Sequence, residues 1–421
     1  MAFEKSKTIH IIGAGISGLI AAQILENHGY TPTVIEATDS EGGRVKTDTV
    51  YGYNLDHGFQ VLLTSYPAAQ KYLNYKDLDL QYFLPGATIF KNNSISTIGD
   101  AFRNFGLLIP TILSTKVSVS DKFKILKLNR ILKQKSIEDI FSEKETTTLQ
   151  YLEKFGFSQK TIQNFFIPFF SGIFLETKLS TSSRMFEFVY KMFGTGYAAI
   201  PKAGIGEIPK QLKNNLSATT FVFNTKVTSV GNQTITLSNG ETLESDQIII
   251  ATNPAKFITS KNSKKIAWKS CQTLYFETNK SVIKKPIIGL VANEDSLINN
   301  IFYSTSLPNT HTGKKQLLSV TVVRNHNLHE SLLVKQVTKE LETLCGITDI
   351  NFLKAYDIEK ALPERENLSY APFSEEIKLE NHITLAGDYL CNGSLNAAML
   401  SGELAAKTVI ENLENQTIAL E

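Results

Sequence analysis

Short apolar runs alternate along this chain with longer segments in which apolar residues recur at helical spacing. Residues 8–12 form the first run, a helical pattern follows at 16–25, and a second run lies at 33–35. Runs rich in isoleucine and valine predict buried strands, and the segment between them predicts a helix packed against those strands. Residues 247–252 and 383–386 are similar runs much later in the chain. The pattern therefore predicts an α/β fold.

Two long segments between these runs have patterns of their own. Residues 80–200 are mostly helical in pattern and rich in phenylalanine, with a dense group at 165–170. These phenylalanines could line an apolar tunnel or form the core of a helical subdomain, and the core is the commoner outcome for aromatic runs. Residues 256–375 contain four strand candidates and one amphipathic helix, for which we expect an antiparallel sheet with the helix behind it. The strand candidates are 273–276, 286–291, 300–303 and 317–323, and the helix stripe is Leu332, Leu333, Val337, Leu341 and Leu344.

A glycine-rich turn joins the first strand to the first helix. Gly13 permits the tight turn, Gly15 lets a pyrophosphate approach the backbone, and Gly18 lets the helix lie close to the strand. Free amides and the helix dipole favour an anion at the helix start. Glu36, at the end of the second strand, can accept hydrogen bonds from both hydroxyls of a ribose and would repel a 2′-phosphate. A glycine triplet alone often marks only a turn, but strand, helix and acid in register predict a dinucleotide site.

Further motifs lie outside this turn. The sequence Gly-Gly-Arg occupies 42–44, and Asp-His-Gly-Phe-Gln occupies 56–60. Near the other end, residues 383–388 read as a strand that ends in Gly-Asp, and a helix rich in small residues starts within 393–402. With these motifs the chain resembles the flavin amine oxidase superfamily, which includes amine oxidases, protoporphyrinogen oxidases, phytoene desaturases and hydroxysqualene dehydroxylases.

The resemblance implies an FAD cofactor and an α/β architecture, a Rossmann-like FAD-binding domain of the GR2 type with an inserted α+β substrate domain containing an antiparallel sheet. It assigns residues 1–79, 201–255 and 376–421 to the FAD-binding domain. The substrate domain then has a helical part at 80–200 and a sheet part at 256–375.

The family also implies roles for particular residues. Its paired glycines let a loop pass over the pyrophosphate, and its arginine, here Arg44, reaches toward the phosphates and the flavin. Its late aspartate, here Asp388, holds a ribityl hydroxyl, and the Val227 backbone meets the adenine. Amides at 395–397 face the carbonyl edge of the flavin ring, where a helix start stabilises negative charge. The FAD-binding residues predicted in this way are Gly13, Gly15, Ile16, Ser17, Gly18, Glu36, Ala37, Gly42, Gly43, Arg44, Gly58, Phe59, Gln60, Val227, Thr252, Gly387, Asp388, Leu395, Asn396 and Ala397.

Composition and cysteine use narrow the functional classes. The 421 residues carry 43 Lys and Arg against 41 Asp and Glu, and a formal charge of +2 gives no general field for nucleic acid. Cys271, Cys345 and Cys391 are widely spaced and odd in number, which indicates neither a disulfide framework nor a metal site. We therefore predict no metal and no nucleic-acid partner. Cys391 lies near the flavin motif, but its context differs from that of flavin-linked cysteines in related oxidases.

Residues 102–135 combine an apolar stretch with a helix that carries six basic residues among its apolar ones. This pattern is typical of a basic amphipathic helix that can lie on an anionic bilayer, and equally of a solvated helix packed on its domain. No run of eighteen apolar residues occurs, and no apolar leader precedes the first strand. We expect a cytoplasmic protein, either free or attached peripherally to a membrane.

The sequence indicates the substrate less clearly than the cofactor, and it leaves the catalytic side chains unknown. We expect FAD-dependent removal of a hydride from an apolar, isoprenoid or carotenoid-like small molecule, with oxygen or a quinone as electron acceptor. The alternatives are a protoporphyrinogen-type or amine oxidase, and a flavin-free prenyl-protein binding module of the same fold, in which Glu36 and Arg44 would not be expected. His57 is either a structural residue or a proton carrier. The aromatic pair and flavin-linked lysine of amine oxidases have no recognisable counterpart.

Overall fold

A computed structural model describes residues 7–100, 103–257 and 266–418. The first of its two main sheets has six strands from distant parts of the chain, and these strands are β1 (Ile9–Ile12), β2 (Thr33–Ile35), β10 (Thr220–Val222), β14 (Gln247–Ile250), β20 (Lys378–Glu380) and β21 (Ile383–Leu385). The order is β10-β2-β1-β14-β21-β20, parallel except for β20. Every residue of β1 and β14 is buried, as expected for parallel strands covered on both faces.

Three helices accompany this sheet: α1 (Ile16–Asn27), α10 (Glu207–Asn214) and α13 (Leu395–Ile418). The first and the last of these touch directly, because a Cβ atom added to Gly402 would lie only 2.2 Å from the carbonyl oxygen of Ser17. Such a close approach requires a glycine on α13. The early glycine motif and the late helix are therefore parts of one packed unit.

Smaller antiparallel sheets connect the main layers. One sheet comprises β11 (Val227–Val230), β12 (Thr234–Leu237) and β13 (Thr242–Glu244), and the others pair β3 (Thr47–Val50) with β4 (Tyr53–Asp56), and β9 (Ala198–Pro201) with both β5 (Leu62–Leu63) and β6 (Leu80–Tyr82). The turn between β12 and β13 places Gly240 at a φ of +88°. The Asn-Gly pair at 239–240 supplies this turn, as is typical of short hairpin loops.

The second main sheet has seven strands: β7 (Gly86–Lys91), β8 (Ser94–Gly99), β15 (Ala267–Thr278), β16 (Ile288–Val291), β17 (Ile298–Tyr303), β18 (Gln316–Val322) and β19 (Ile350–Glu364). The order is β19-β15-β18-β17-β16-β7-β8. All four predicted strands are present, but the sheet is not wholly antiparallel, because β7 and β16 run parallel. Helix α11 (Glu330–Cys345) buries Leu333, Val337 and Leu341 against this sheet, while Leu332 is exposed.

Residues 80–200 are less uniformly helical than their pattern predicts. The strands β6, β7 and β8 lie within them, and β7 and β8 extend the sheet that the sequence assigned to 256–375 alone. Short apolar runs fit a strand or a buried helix equally well, so their type depends on strand partners distant in sequence.

The remaining helices are α2 (Pro67–Tyr72), α3 (Leu108–Leu113), α4 (Val119–Gln134), α5 (Ile137–Ser142), α6 (Thr148–Phe155), α7 (Gln159–Thr161), α8 (Ile167–Phe174), α9 (Ser183–Thr195) and α12 (Ser374–Ile377). Phe166, Phe170 and Phe186 are completely buried and pack ring against ring. They share one continuous core with β1 and α1. The dense phenylalanine group is thus mainly core rather than tunnel lining. Within the described ranges, no helix has both the length and the apolarity needed to cross a bilayer.

Candidate functional site

The first glycine turn is held by main-chain contacts. Gly13 has a φ of +108°, and its amide donates to the carbonyl oxygen of Ile35 at 2.8 Å. A Cβ atom on Gly18 would lie 2.0 Å from the carbonyl oxygen of Gly13, whereas one on Gly15 would meet no atom within 4 Å. Gly18 therefore serves packing, while Gly15 leaves open space beside the start of α1. No side chain caps this helix, so its first amides are available to an anion.

The second glycine loop lies directly beside the first. The Gly42 amide donates to the carbonyl oxygen of Ala14 at 2.9 Å, and Gly15 and Gly42 form a parallel bridge. A Cβ atom on Gly43 would lie 3.5 Å from the Gly15 Cα atom. Two loops with exposed main chain thus meet at one place, which fits the predicted pyrophosphate site.

Glu36 closes the first loop from the end of β2. Its Oε2 atom accepts from the Ala14 amide at 2.8 Å, and its Oε1 atom accepts from the amide and hydroxyl of Thr38, each at 2.9 Å. Its carbonyl oxygen accepts from the Thr225 amide, which brings the segment before Val227 alongside. The carboxylate is oriented by its neighbours. Ala37, the next residue, is exposed.

Arg44 and Asp388 meet although 344 residues separate them. Arg44 Nη2 lies 2.5 Å from Asp388 Oδ1, and Arg44 Nη1 donates to the carbonyl oxygen of Ala361 at 3.0 Å. The guanidinium also lies 5.3 Å from the centre of the Trp268 ring. The sequence predicts a separate FAD contact for each of these two charged groups and does not pair them. It also missed Ala361 and Trp268, which carry no motif.

The start of α13 offers fewer free amides than the sequence predicts. Ser394 Oγ accepts from the Ala397 amide at 3.0 Å, so this serine caps the helix. The amides of Leu395 and Asn396 donate no hydrogen bond within the described part of the chain. Asn396 is fully buried, and its Oδ1 atom accepts from the Ala68 amide at the start of α2. The Asn396 side chain thus has a structural role, and two of the three predicted amides are free.

The remaining predicted residues lie around these contacts. Gln60 Nε2 donates to the carbonyl oxygens of Arg44 at 2.8 Å and His57 at 2.9 Å, which fixes the loop that carries Gly58 and Phe59. A Cβ atom on Gly13 would lie 3.5 Å from Thr252 Cβ. The Gly387 amide donates to Ser401 Oγ at 2.6 Å. Tyr389 Oη is buried and has no hydrogen-bond partner among the described residues. Open main chain at the glycine loops is compatible with a bound FAD.

Comparison with known proteins identifies the group to which the chain is related. Residues 16–410 match the family described as flavin-containing amine oxidoreductase. The chain belongs to this family. A solved structure described as a protoporphyrinogen oxidase from Exiguobacterium superposes with a TM-score of 0.71 at 16% identity, covering 97% of this chain and 99% of that one. At this identity the likeness shows the shared fold. The flavin amine oxidoreductase assignment confirms the predicted fold, the FAD cofactor and the class of FAD-dependent oxidoreductase.

Relatives of known function match only in part. An L-amino-acid oxidase of Bothrops moojeni is 33% identical over 119 residues, which are 27% of this chain and 24% of the relative. A hydroxysqualene dehydroxylase of Rhodopseudomonas palustris is 46% identical over 69 residues, which are 16% of each chain. The matches thus cover about a quarter and about a sixth of these relatives. They leave the substrate of this flavin amine oxidoreductase unassigned.

A polar cluster that the sequence did not predict lies next to the loop at 57–60. We name this loop the flavin loop, because it carries the predicted FAD-binding residues Gly58, Phe59 and Gln60. Asp48 Oδ1 lies 3.0 Å from His57 Nε2, and Asp48 Oδ2 accepts from Tyr356 Oη at 2.8 Å and Lys354 Nζ at 3.1 Å. Burial alone would raise the pKa of Asp48, but the hydrogen bonds from Tyr356, Lys354 and His57 outweigh it and lower the pKa to about 2. Asp48 therefore holds the His57 ring in place through its Nε2 atom.

Three further titratable groups complete the site region. Asp56 is buried, and burial raises its pKa to about 6 although Thr47 and the Ile205 amide donate to it. Burial also raises the pKa of Cys391 well above its ordinary value, so this thiol stays protonated. Lys269 Nζ donates to Thr181 Oγ1 at 3.2 Å, and burial lowers its pKa. Lys269 belongs to no sequence motif, and only its place on β15 reveals it.

Proposed function

We propose that this flavin amine oxidoreductase removes a hydride from an apolar, isoprenoid-like substrate. A bound FAD would supply the hydride acceptor, the neighbouring substrate carbon would lose its proton to water as the new C=C bond forms, and oxygen or a quinone would take the electrons from the flavin. The observation that carries the proposal is a cluster of aromatic rings beside the flavin loop. Phe59 follows Gly58 in that loop, Phe83 follows β6, and Phe302 lies on β17.

The cluster draws its rings from three parts of the fold. The ring centres of Phe83 and Phe302 are 4.6 Å apart, and Phe59 lies 5.5 Å from Phe302 and 6.2 Å from Phe83. Leu307 is buried with them, and the other partly buried neighbours are Val61, Ala198 and Ile200. Such a surface would exclude water and favour a hydrocarbon over an ammonium group.

Two exposed tyrosines lie outside this cluster. The Tyr82 and Tyr197 ring centres are 5.7 Å apart, and Tyr82 immediately precedes Phe83. The Arg103 guanidinium carbon lies 4.2 Å from the Tyr197 ring centre. We infer that an apolar substrate enters beside this exposed pair and reaches the aromatic cluster. The 46% identity to part of a hydroxysqualene dehydroxylase is in keeping with this substrate class.

An amine or porphyrinogen oxidase is the second candidate, and Lys269 favours it. The resemblance implies a flavin-linked lysine in amine oxidases, and Lys269 lies on β15 opposite Leu362. A Cβ atom on Gly393 would lie 2.8 Å from Leu362 Cδ1, which brings this strand to the start of α13. Thr181, the partner of Lys269, donates in turn to Glu176 at 3.1 Å. A lysine with a lowered pKa in this place could accept a proton.

The decisive experiment is anaerobic flavin bleaching with the purified holoprotein. We expect isoprenoid polyenes to bleach the flavin, whereas amines and porphyrinogens leave it oxidised. Phe83→Leu should slow bleaching about tenfold at unchanged flavin content, because it removes ring contacts from the substrate surface. Phe373→Leu, at an exposed phenylalanine, is the matched control.

Lys269→Met separates the two candidates. Under our proposal the rate with polyenes stays within about twofold of the wild type, because no proton transfer at Lys269 is needed. Bleaching by amines or porphyrinogens that disappears in Lys269→Met would overturn the proposal in favour of the second candidate. A folded, colourless protein that cannot be loaded with FAD would overturn both.

A further inference from the structure

Nearly half of the exposed large apolar side chains of the described residues lie in one short stretch of the chain. Of the nineteen such side chains among the described residues, nine lie between 105 and 131, and each is at least 40% exposed. We name them the α3–α4 patch, and they are Phe105, Leu108, Ile109, Ile112, Leu113, Val119, Phe123, Leu126 and Ile131. Soluble surfaces rarely concentrate exposed apolar side chains in this way, and such patches mark interaction sites.

The two helices of this patch are held together. Lys122 Nζ donates to the carbonyl oxygens of Ile112 at 3.0 Å and Ser114 at 2.9 Å, which fixes the start of α4 against the end of α3. On α4, Val119, Phe123 and Leu126 follow each other at helical spacing and share one face. Residues 128 and 132 of the same helix are fully buried. The exposed face is therefore an ordered surface on a packed helix.

The charge around the patch is one-sided. Lys127, Arg130 and Lys133 are exposed and form no ion pair within the described ranges. Asp121 is the one acidic residue between 103 and 135, and its side chain is buried, where it accepts hydrogen bonds from Ser158 and Thr161. Helix α4 therefore exposes apolar and cationic side chains to solvent, while its carboxylate is buried.

We propose that the α3–α4 patch docks on an anionic lipid bilayer. Its apolar side chains would enter the interface, and the cationic side chains beside them would meet the lipid phosphates while their methylene stems stay in the apolar zone. A second copy of the chain is a poorer occupant, because pairing this face with itself would bring equal positive charges together. The proposal does not rest on the proposed reaction, since it concerns binding alone.

Vesicle sedimentation of the holoprotein tests the docking. We expect binding to phosphatidylcholine vesicles that contain phosphatidylglycerol, at least about tenfold weaker binding to pure phosphatidylcholine, and a decline with added salt. The double variant Ile109→Gln with Phe123→Gln should bind both types of vesicle at least about tenfold more weakly than the wild type does. The matched control is Leu328→Gln with Leu332→Gln, two exposed leucines outside the patch. It should bind like the wild type.

A second pair of variants tests the charge. Lys127→Glu with Lys133→Glu should abolish the preference for phosphatidylglycerol, while the same charge change at Lys335 and Lys339 on α11 should leave it intact. Flavin content, measured by absorbance, reports that each variant is folded. Equal loss in the control pairs would overturn the proposal. The proposal would also be overturned if the wild type binds no vesicles and is a dimer by equilibrium sedimentation, while the variant Ile109→Gln with Phe123→Gln is a monomer.

Discussion

The glycine loops around Gly15 and the helices around Phe170 are both tightly packed, but different atoms make their contacts. In the loops, main chain touches main chain, as between Gly18 and the Gly13 carbonyl or between Gly42 and Ala14. In the helices, ring meets ring, and Phe170 lies 4.8 Å from Phe186 between ring centres. Main-chain contacts cannot shift without moving a strand, whereas ring contacts can relax by rotation. The FAD side should therefore be the less tolerant of the two.

The largest expected effect is that of Gly18→Ala. The new methyl group would lie 2.0 Å from the Gly13 carbonyl oxygen, so β1 and α1 would have to separate. We expect a loss of about 5 kcal/mol or more in unfolding free energy, measured by urea denaturation, and failure to bind FAD.

Gly15→Ala is the control for this variant. Gly15 has a φ of −72°, and its added methyl group would meet no atom within 4 Å. We expect a fold as stable as the wild type within about 1 kcal/mol and a much weaker affinity for FAD, because the methyl group fills the space left for the pyrophosphate. Unchanged FAD affinity would contradict the assignment of this space.

Phe170→Ala tests the tolerance of the helical side. Removing a fully buried ring should cost about 4 kcal/mol in unfolding free energy. We expect FAD affinity measured at low temperature to stay near the wild-type value, because the ring lies in the helices rather than in the glycine loops. A fall in FAD affinity as well would contradict the difference between the two regions, and it would show that a change in the helices alters the glycine loops through the shared core.

Asp56, on β4 near the flavin loop, gives a prediction for pH. Its pKa of about 6 in the fold exceeds its ordinary value of 3.8, so the folded state holds the proton more tightly. Stability of the wild type relative to Asp56→Asn should therefore fall as pH rises from about 4 to 6, by up to about 3 kcal/mol, and then level off. Urea denaturation across this range measures the difference. Asp39→Asn, at an exposed carboxyl, should give a difference of the opposite sign, because hydrogen bonds from Ser40 and Lys46 lower the pKa of Asp39.

The smallest effect is expected at a helix cap. Thr147 Oγ1 accepts from the Gln150 amide at the start of α6, and Gln150 Oε1 accepts from the Thr147 amide in return. Thr147→Ala should lower the unfolding free energy by about 1 kcal/mol with no change in FAD affinity, as measured by urea denaturation and flavin titration. Thr147→Ser should retain most of the stability.

The motifs around Gly13, Gly42 and Gly387 could be recognised because each depends on a glycine that a local conformation demands. Their assembly also follows from the resemblance, although the pairing of Arg44 with Asp388 does not. That contact depends on where two loops meet in space. By contrast, Ser394 precedes Ala397 by three residues at the start of α13, a spacing typical of an N-cap, so its contact with that amide could have been expected.

The substrate side was harder to predict for a physical reason. The strands β7 and β16 are parallel neighbours although about two hundred residues separate them, and no local pattern encodes such a partner. The aromatic cluster at Phe59, Phe83 and Phe302 is assembled in the same way from three distant segments. Pattern alone indicated four strands and one helix in residues 256–375, but it missed β7 and β8 and did not show which rings meet.

The strand order of the first sheet has a consequence for synthesis on the ribosome. β1 lies between β2 and β14, and β14 pairs with β21, so the sheet is incomplete until residue 385 has left the exit tunnel. Before that, the edge of β14 that pairs with β21 and the face of α1 that packs on α13 have no covering partner. We expect nascent chains truncated before β21 to recruit chaperones and to bind no flavin, whereas pulse-labelled full-length chains mature in a single late step.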